Sequence, residues 1–179
     1  MKLEFKELGF EIELYGVTDK DEIINELFDL LMDESEGEHT DDELMEQAEE
    51  MINNMNYEIV GCDSFEEYVL DNETYKDIES ILKLQSLIED VEEDEKDSVE
   101  AIMEVCDYSL EGAIDAFYNG AEILDFSNEP DVEEALGEYY VEQGLSDIPE
   151  RLEQYIDYKK LGSDLIQDYC ELDGILVRV

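Results

Sequence analysis

Between Lys20 and Lys76, and again between Lys96 and Arg151, the chain contains neither lysine nor arginine. The first interval holds 20 Asp and Glu residues and the second holds 16. Any fold built from such stretches must bury enough apolar surface to overcome its own repulsion, and must leave nearly all of its carboxylates in water. Over 179 residues, 55 acids face 10 bases, for a formal net charge of −45. Charge of this kind means disorder only when apolar residues are scarce. Here 43% of residues are hydrophobic, with 11 Tyr and 6 Phe, so a core can form. The chain reads as a folded polyanion.

That balance excludes whole classes of partner. Binding polyphosphate requires basic residues that displace counterions, so no nucleic acid is expected, and an anionic membrane surface would repel the chain. The N-terminal MKLEFKELGF carries Glu4 and Glu7 where a signal peptide needs an apolar stretch. No apolar run approaches the ~20 residues of a membrane-spanning helix. Cys62, Cys106 and Cys170 are odd in number, far apart in sequence and without a CxxC pair, a pattern of reduced thiols. Together these features predict a cytoplasmic protein with no metal and no cofactor.

Periodicity predicts an α+β fold. Phe10, Ile12 and Leu14 alternate with Glu11 and Glu13 as in a half-buried strand over 10–17. Ile23, Ile24, Leu27, Phe28 and Leu31 form one face of a helix over 21–33. Thr40 and Glu43 have capping-box spacing before a second helix, and Ser64 and Glu67 repeat it before a short one. A strand is expected over 57–61 and a long helix over 74–91. Val99, Ile102, Met103 and Cys106 mark a further helix, and Leu110, Ala113, Ile114 and Phe117 another, with Ser109 as its N-cap. Residues 121–126 suggest a strand. Pro130 fits the first position of a helix that ends before Gly144. A last helix is predicted from Pro149 to Leu161, stopped by Gly162, and a strand over 174–179. The length suits one or two small domains.

Enzyme signatures are absent, and no catalytic residue is assigned. His39, the single histidine, sits in the acidic stretch DESEGEHTDDE, which has the composition of a surface loop. An EF-hand register starting at Asp33 places Glu38 where the turn needs glycine. Neither GxGxxG nor GxxxxGK occurs. Met and Tyr fall at helical spacing beside Ile and Leu, as core residues do. Salt adaptation explains acidity but not two base-free stretches. The alternative is that the acids are themselves the functional groups.

Simple arithmetic makes that feasible. B-DNA carries one negative charge per about 1.7 Å, so 45 charges match roughly 22 base pairs. Acids four residues apart on a helix rise about 6 Å, a spacing comparable to successive phosphates on one strand. In the second base-free stretch the candidate phosphate-mimicking acids are Glu100, Glu104, Asp107, Glu111, Asp115, Glu122, Asp125, Glu129, Asp131, Glu133, Glu134, Glu138 and Glu142.

The last third carries a more specific pattern. Ile148-Pro149, Leu152 and Tyr155-Ile156-Asp157-Tyr158 are followed by Gly162-Ser163-Asp164-Leu165. This resembles the C-terminal signature of the ArdA antirestriction proteins, and the similarity extends more weakly back through the 130–143 and 74–91 helices, over about two-thirds of the chain. The front departs from the family pattern: this chain has no Trp, and the N-terminal domain is expected to be divergent. The resemblance implies an elongated chain of three small, helix-rich α+β domains, divided as 1–61, 62–107 and 108–179, with short strands and a strongly acidic surface. It also implies a homodimer formed through the C-terminal domain, with Leu145, Ile148, Leu152, Tyr155 and Tyr158 as dimer contacts or C-terminal core. The function it implies is mimicry of B-DNA in the groove of type I restriction–modification enzymes, which protects incoming mobile-element DNA. Inhibition of another defence machine, such as a CRISPR effector, and an acidic chaperone sequestering a basic protein are the alternatives.

Overall fold

The structure is a computed structural model that describes residues 1–35, 39–144, 150–153 and 155–179. The chain is α+β and divides into two compact units, Met1–Asp94 and Glu95–Val179. Each has a three-stranded antiparallel sheet with helices packed on it.

In the N-terminal unit, β1 (Lys2–Phe5) lies between β2 (Phe10–Glu13) and β3 (Glu58–Val60). The register sets Leu3 opposite both Ile12 and Ile59, and Phe5 opposite Phe10. Leu3, Phe5 and Ile12 are therefore fully buried on one face, while Glu4, Glu11 and Glu58 take the other. Helix α1 (Lys20–Glu34) supplies Ile23 and Leu27 to this core, and α2 (Asp41–Asn53) supplies Ala48 and Ile52. The Thr40–Glu43 capping box forms as its spacing predicts. Backbone and hydroxyl hydrogen bonds from Thr40 hold the Glu43 carboxyl below its usual range. In α3 (Ser64–Asn72) the box forms one residue early, between Asp63 and Glu66. Asp63 is as good a cap as Ser64, and the sequence alone did not separate the two registers. Helix α4 (Ile78–Glu89) starts later than the periodicity suggests, because Asp77 caps it by accepting from Ser80 N.

In the C-terminal unit, β6 (Ile175–Arg178) lies between β4 (Glu122–Asp125) and β5 (Cys170–Leu172). Helix α5 (Lys96–Cys106) packs against all three strands and against α6 (Leu110–Tyr118), which Ser109 caps as predicted. Helix α7 (Val132–Glu142) begins at Asp131, whose side chain accepts from Glu134 N, so Pro130 precedes the helix and does not open it. Gly144, with φ +68°, follows its last turn as expected.

Two sequence expectations fail here, and two strands have no counterpart among them. The single helix over 149–161 is instead α8 (Glu150–Glu153) and α9 (Tyr158–Leu165), with Asp157 capping α9. Gly162 does not stop a helix; it lies buried inside α9. A Cβ there would sit 1.6 Å from the Glu133 carbonyl oxygen, and one at Gly137 would sit 2.1 Å from that of Tyr158. Glycine on both α7 and α9 is what allows the two backbones to meet. Strand β5 was not foreseen, although Asp173-Gly174 joins it to β6 as a two-residue turn with φ +48° and +87°. Strand β1 was missed as well.

Candidate partner-binding surface

The acids of the second base-free stretch are placed by the buried faces of their own helices. On α6, Leu110, Ala113 and Ile114 turn inward, which leaves Glu111 and Asp115, four residues apart, exposed. On α7 the burial of Leu136 and Gly137 leaves Glu134, Glu138 and Glu142 exposed at successive turns. Helix α5 buries Val99, Ile102 and Met103 and exposes Glu104. It ends at Asp107, exposed and left-handed at φ 55°. Glu129 and Asp125 are exposed in and before the loop that leads to α7. Hydrogen bonds from the Ser127 hydroxyl and backbone N–H hold Asp125 below its usual pKa.

Four of the candidate acids lie elsewhere. Glu100 is half-buried; desolvation raises its pKa, and the neighbouring Asp97 and Glu104 carboxylates add to that. Glu133 is half-buried where its carbonyl meets α9. Asp131 caps α7 and is ion-paired with Lys159 on α9, whose hydrogen bond lowers the Asp131 pKa. Glu122 sits directly opposite Arg178 in the sheet register and pairs with it at 2.8 Å.

The Glu122–Arg178 pair belongs to a larger network. Tyr169 Oη donates to Glu122 and lies 3.0 Å from Tyr140 Oη. Arg178 Nη1 donates to Tyr140 Oη at 2.8 Å, and its guanidinium stands 5.2 Å from the centre of the Tyr169 ring. Burial raises the Tyr169 pKa, as do its hydrogen bonds to Glu122 and Tyr140. No local sequence pattern marks this constellation, because its members come from β4, α7, the segment before β5, and β6. Only the register of β4 on β6 brings Glu122 and Arg178 together. The fold also brings together two cysteines distant in sequence: burial first, then the neighbouring Cys170 thiol, pushes the Cys106 pKa up to about 12.

Of the apolar residues singled out in the C-terminal signature, Leu145 and Ile148 lie outside the described residues. Leu152 and Tyr155 are 45% and 78% exposed, and Tyr158 is half-buried at the start of α9. Among the described residues, no His, Cys, Asp or Glu cluster is arranged to hold a metal ion, and no helix is long and apolar enough to cross a membrane.

The sequence model of the antirestriction protein ArdA matches residues 21–174. The match covers more of the chain than the C-terminal signature suggested, since it takes in α1 and α2. No curated protein matches the chain.

Proposed function

This chain belongs to the ArdA antirestriction protein family, and from that premise we propose that it acts as a non-catalytic mimic of B-DNA. In this reading it occupies the DNA groove of a type I restriction–modification enzyme in the cytoplasm of a cell receiving mobile-element DNA. The observation that carries the reading is the set of exposed carboxylates on α6 and α7 at four-residue intervals, within a stretch, 97–150, that contains neither lysine nor arginine. Their rise of about 6 Å per interval suits cationic side chains spaced for phosphates. Binding of this kind needs no reaction centre: many weak contacts act together, and the target's bases displace cations gathered around the carboxylates as they displace those condensed on DNA.

The same reading assigns the exposed Leu152 and Tyr155 to a contact between two copies, and goes with the finer division of the chain into three small domains. A pull-down of a type I restriction–modification enzyme on the immobilised protein, challenged with duplex DNA, tests it. Duplex DNA should displace the enzyme in proportion to its own affinity. Capture that survives saturating duplex would place the contact outside the DNA groove and refute mimicry.

A further inference from the structure

The sheet of the N-terminal unit ends at β3, whose outer edge has no strand partner among the described residues. Beside that edge runs a groove of about 560 Å³, lined across from it by Glu67, Leu70 and Asp71 of α3. Glu58, Ile59 and Val60 all line it. Successive strand residues point to opposite faces of a sheet, so a concavity lined by all three follows the edge of the strand and not one face. Its floor is apolar and half-buried (Ile59, Val60, Leu70 and Tyr75), and its rim is the exposed Glu58, Glu67 and Asp71. At its end Tyr57 carries a buried hydroxyl with no hydrogen-bond partner among the described residues. Burial, with Asp77 and Glu79 nearby, pushes that hydroxyl's pKa up to about 12, so it remains a donor at neutral pH.

We propose that this groove receives one extended segment of a partner protein, which adds to β3 as a further antiparallel or parallel strand. The segment's apolar side chains fill the floor, and its lysine or arginine side chains meet Glu58, Glu67 and Asp71. Backbone hydrogen bonds supply affinity in such strand addition, and alternate side chains supply selectivity. The three residues of β3 span about 10 Å, which sets the recognised segment at three or four residues. Charge selects the occupant. A second copy of this chain would bring its own acidic edge and its −45 net charge to the same place, and like charges directly opposite are destabilising. Charged residues commonly protect open edges, and Glu58 repels an acidic strand while favouring a basic one. Lys6 already forms an ion pair with Glu58 and does not line the groove, so an incoming cation would meet chiefly Glu67 and Asp71. None of these residues lies between 97 and 150, so the groove is independent of the mimicry reading.

The test uses the full-length protein and two fluorescein-labelled peptides of identical charge, Lys-Val-Lys-Val-Lys-Val in all-L form and the same sequence with every second residue of D configuration. Alternating chirality keeps the charge but puts successive side chains on the same face of an extended chain, so lysine and valine no longer separate to opposite faces as they do in an all-L strand. The all-L peptide should bind at least tenfold tighter at equal ionic strength and slow amide exchange across 58–60. The Glu67→Gln, Asp71→Asn double variant should weaken it several-fold, while Glu134→Gln, Glu138→Gln and Glu142→Gln together leave the chirality preference unchanged. Equal affinity for the two peptides, or exchange protection that misses 58–60, would reduce the binding to diffuse attraction and overturn the proposal. Failure of duplex DNA to compete in the restriction-enzyme pull-down would leave this result standing.

Discussion

The acids of the C-terminal unit fall into two regions that use charge in opposite ways. Where α7 meets α9 and β4 meets β6, carboxylates are part of the structure: Asp131 caps a helix and holds Lys159, and Glu122 anchors Arg178 and Tyr169. On the outer faces of α6 and α7, Glu111, Asp115, Glu134, Glu138 and Glu142 stand in water over buried apolar stripes. Arg178 and Lys159, among the few bases in the unit, are placed at the junctions, where acid and base come from different elements. Composition treats all these acids alike. In this unit the ion pairs Asp131–Lys159 and Glu122–Arg178 join elements distant in sequence, so part of the negative charge serves to hold the fold together.

The sharpest test of that contrast is on the junction side. Gly162→Ala puts a Cβ into the Glu133 carbonyl, and overpacking that only backbone movement can relieve costs about 3 kcal/mol or more. Gly120→Ala, at φ +91° with nothing within 4 Å, should lose only the left-handed strain of about 1–2 kcal/mol. Urea melts of the two variants compare them directly, and equal losses would mean that the α7–α9 approach is not tight. Next in size is Arg178→Met, which leaves Glu122 and Tyr140 without their shared donor. It should cost about 1–2 kcal/mol, discounted for the partial exposure of the pair.

Smaller effects separate the two regions by pH. The Asp131 pKa is lowered in the fold, so its ion pair and cap stabilise the protein above the ordinary carboxylate range. That contribution is lost as pH falls through the lowered value. Asp131→Asn should therefore lower Tm at pH 7, and the difference from the parent protein should disappear in acid. Glu100 has the opposite sign. Its raised pKa means that the ionised form opposes folding, a penalty absent below the ordinary value and fully present once pH has risen past the raised one. Glu100→Gln should accordingly raise Tm slightly at pH 7 and change nothing near pH 3. Sodium chloride, which screens repulsion over ~8–10 Å, should raise the Tm of the parent protein as well.

Much of the helical half of this fold was legible because burial and periodicity coincide. Ile23, Leu27, Leu44 and Ala48 mark their faces plainly, and Thr40 and Ser109 announce the helices they cap. What stayed hidden depends on partners distant in sequence. Gly162 reads locally as a stop, and only the presence of Glu133 across the helix pair makes it an interior residue. Strand β5 presents no buried side chain, since Cys170, Glu171 and Leu172 are all exposed, so no alternation betrays it; its Asp173-Gly174 turn was the available signal. Among the thirteen acids, sequence gave no means to tell Glu122 and Asp131 from Glu138, because their cations arrive from β6 and α9.

The central claim is that the exposed acids act collectively on a DNA-binding enzyme while the junction acids serve the fold. A graded series of Asp→Asn and Glu→Gln changes at Glu104, Asp107, Glu111, Asp115, Glu129, Glu134, Glu138 and Glu142, assayed for protection of DNA against a type I restriction enzyme, addresses it most directly. With each exposed contact worth ~0.2–1 kcal/mol, any single change should barely alter protection. All eight together should remove about 2–8 kcal/mol of binding, one to several orders of magnitude in affinity, with Tm unchanged or raised and a flatter salt dependence. A cliff at one carboxylate, or full protection after all eight changes, would contradict the account.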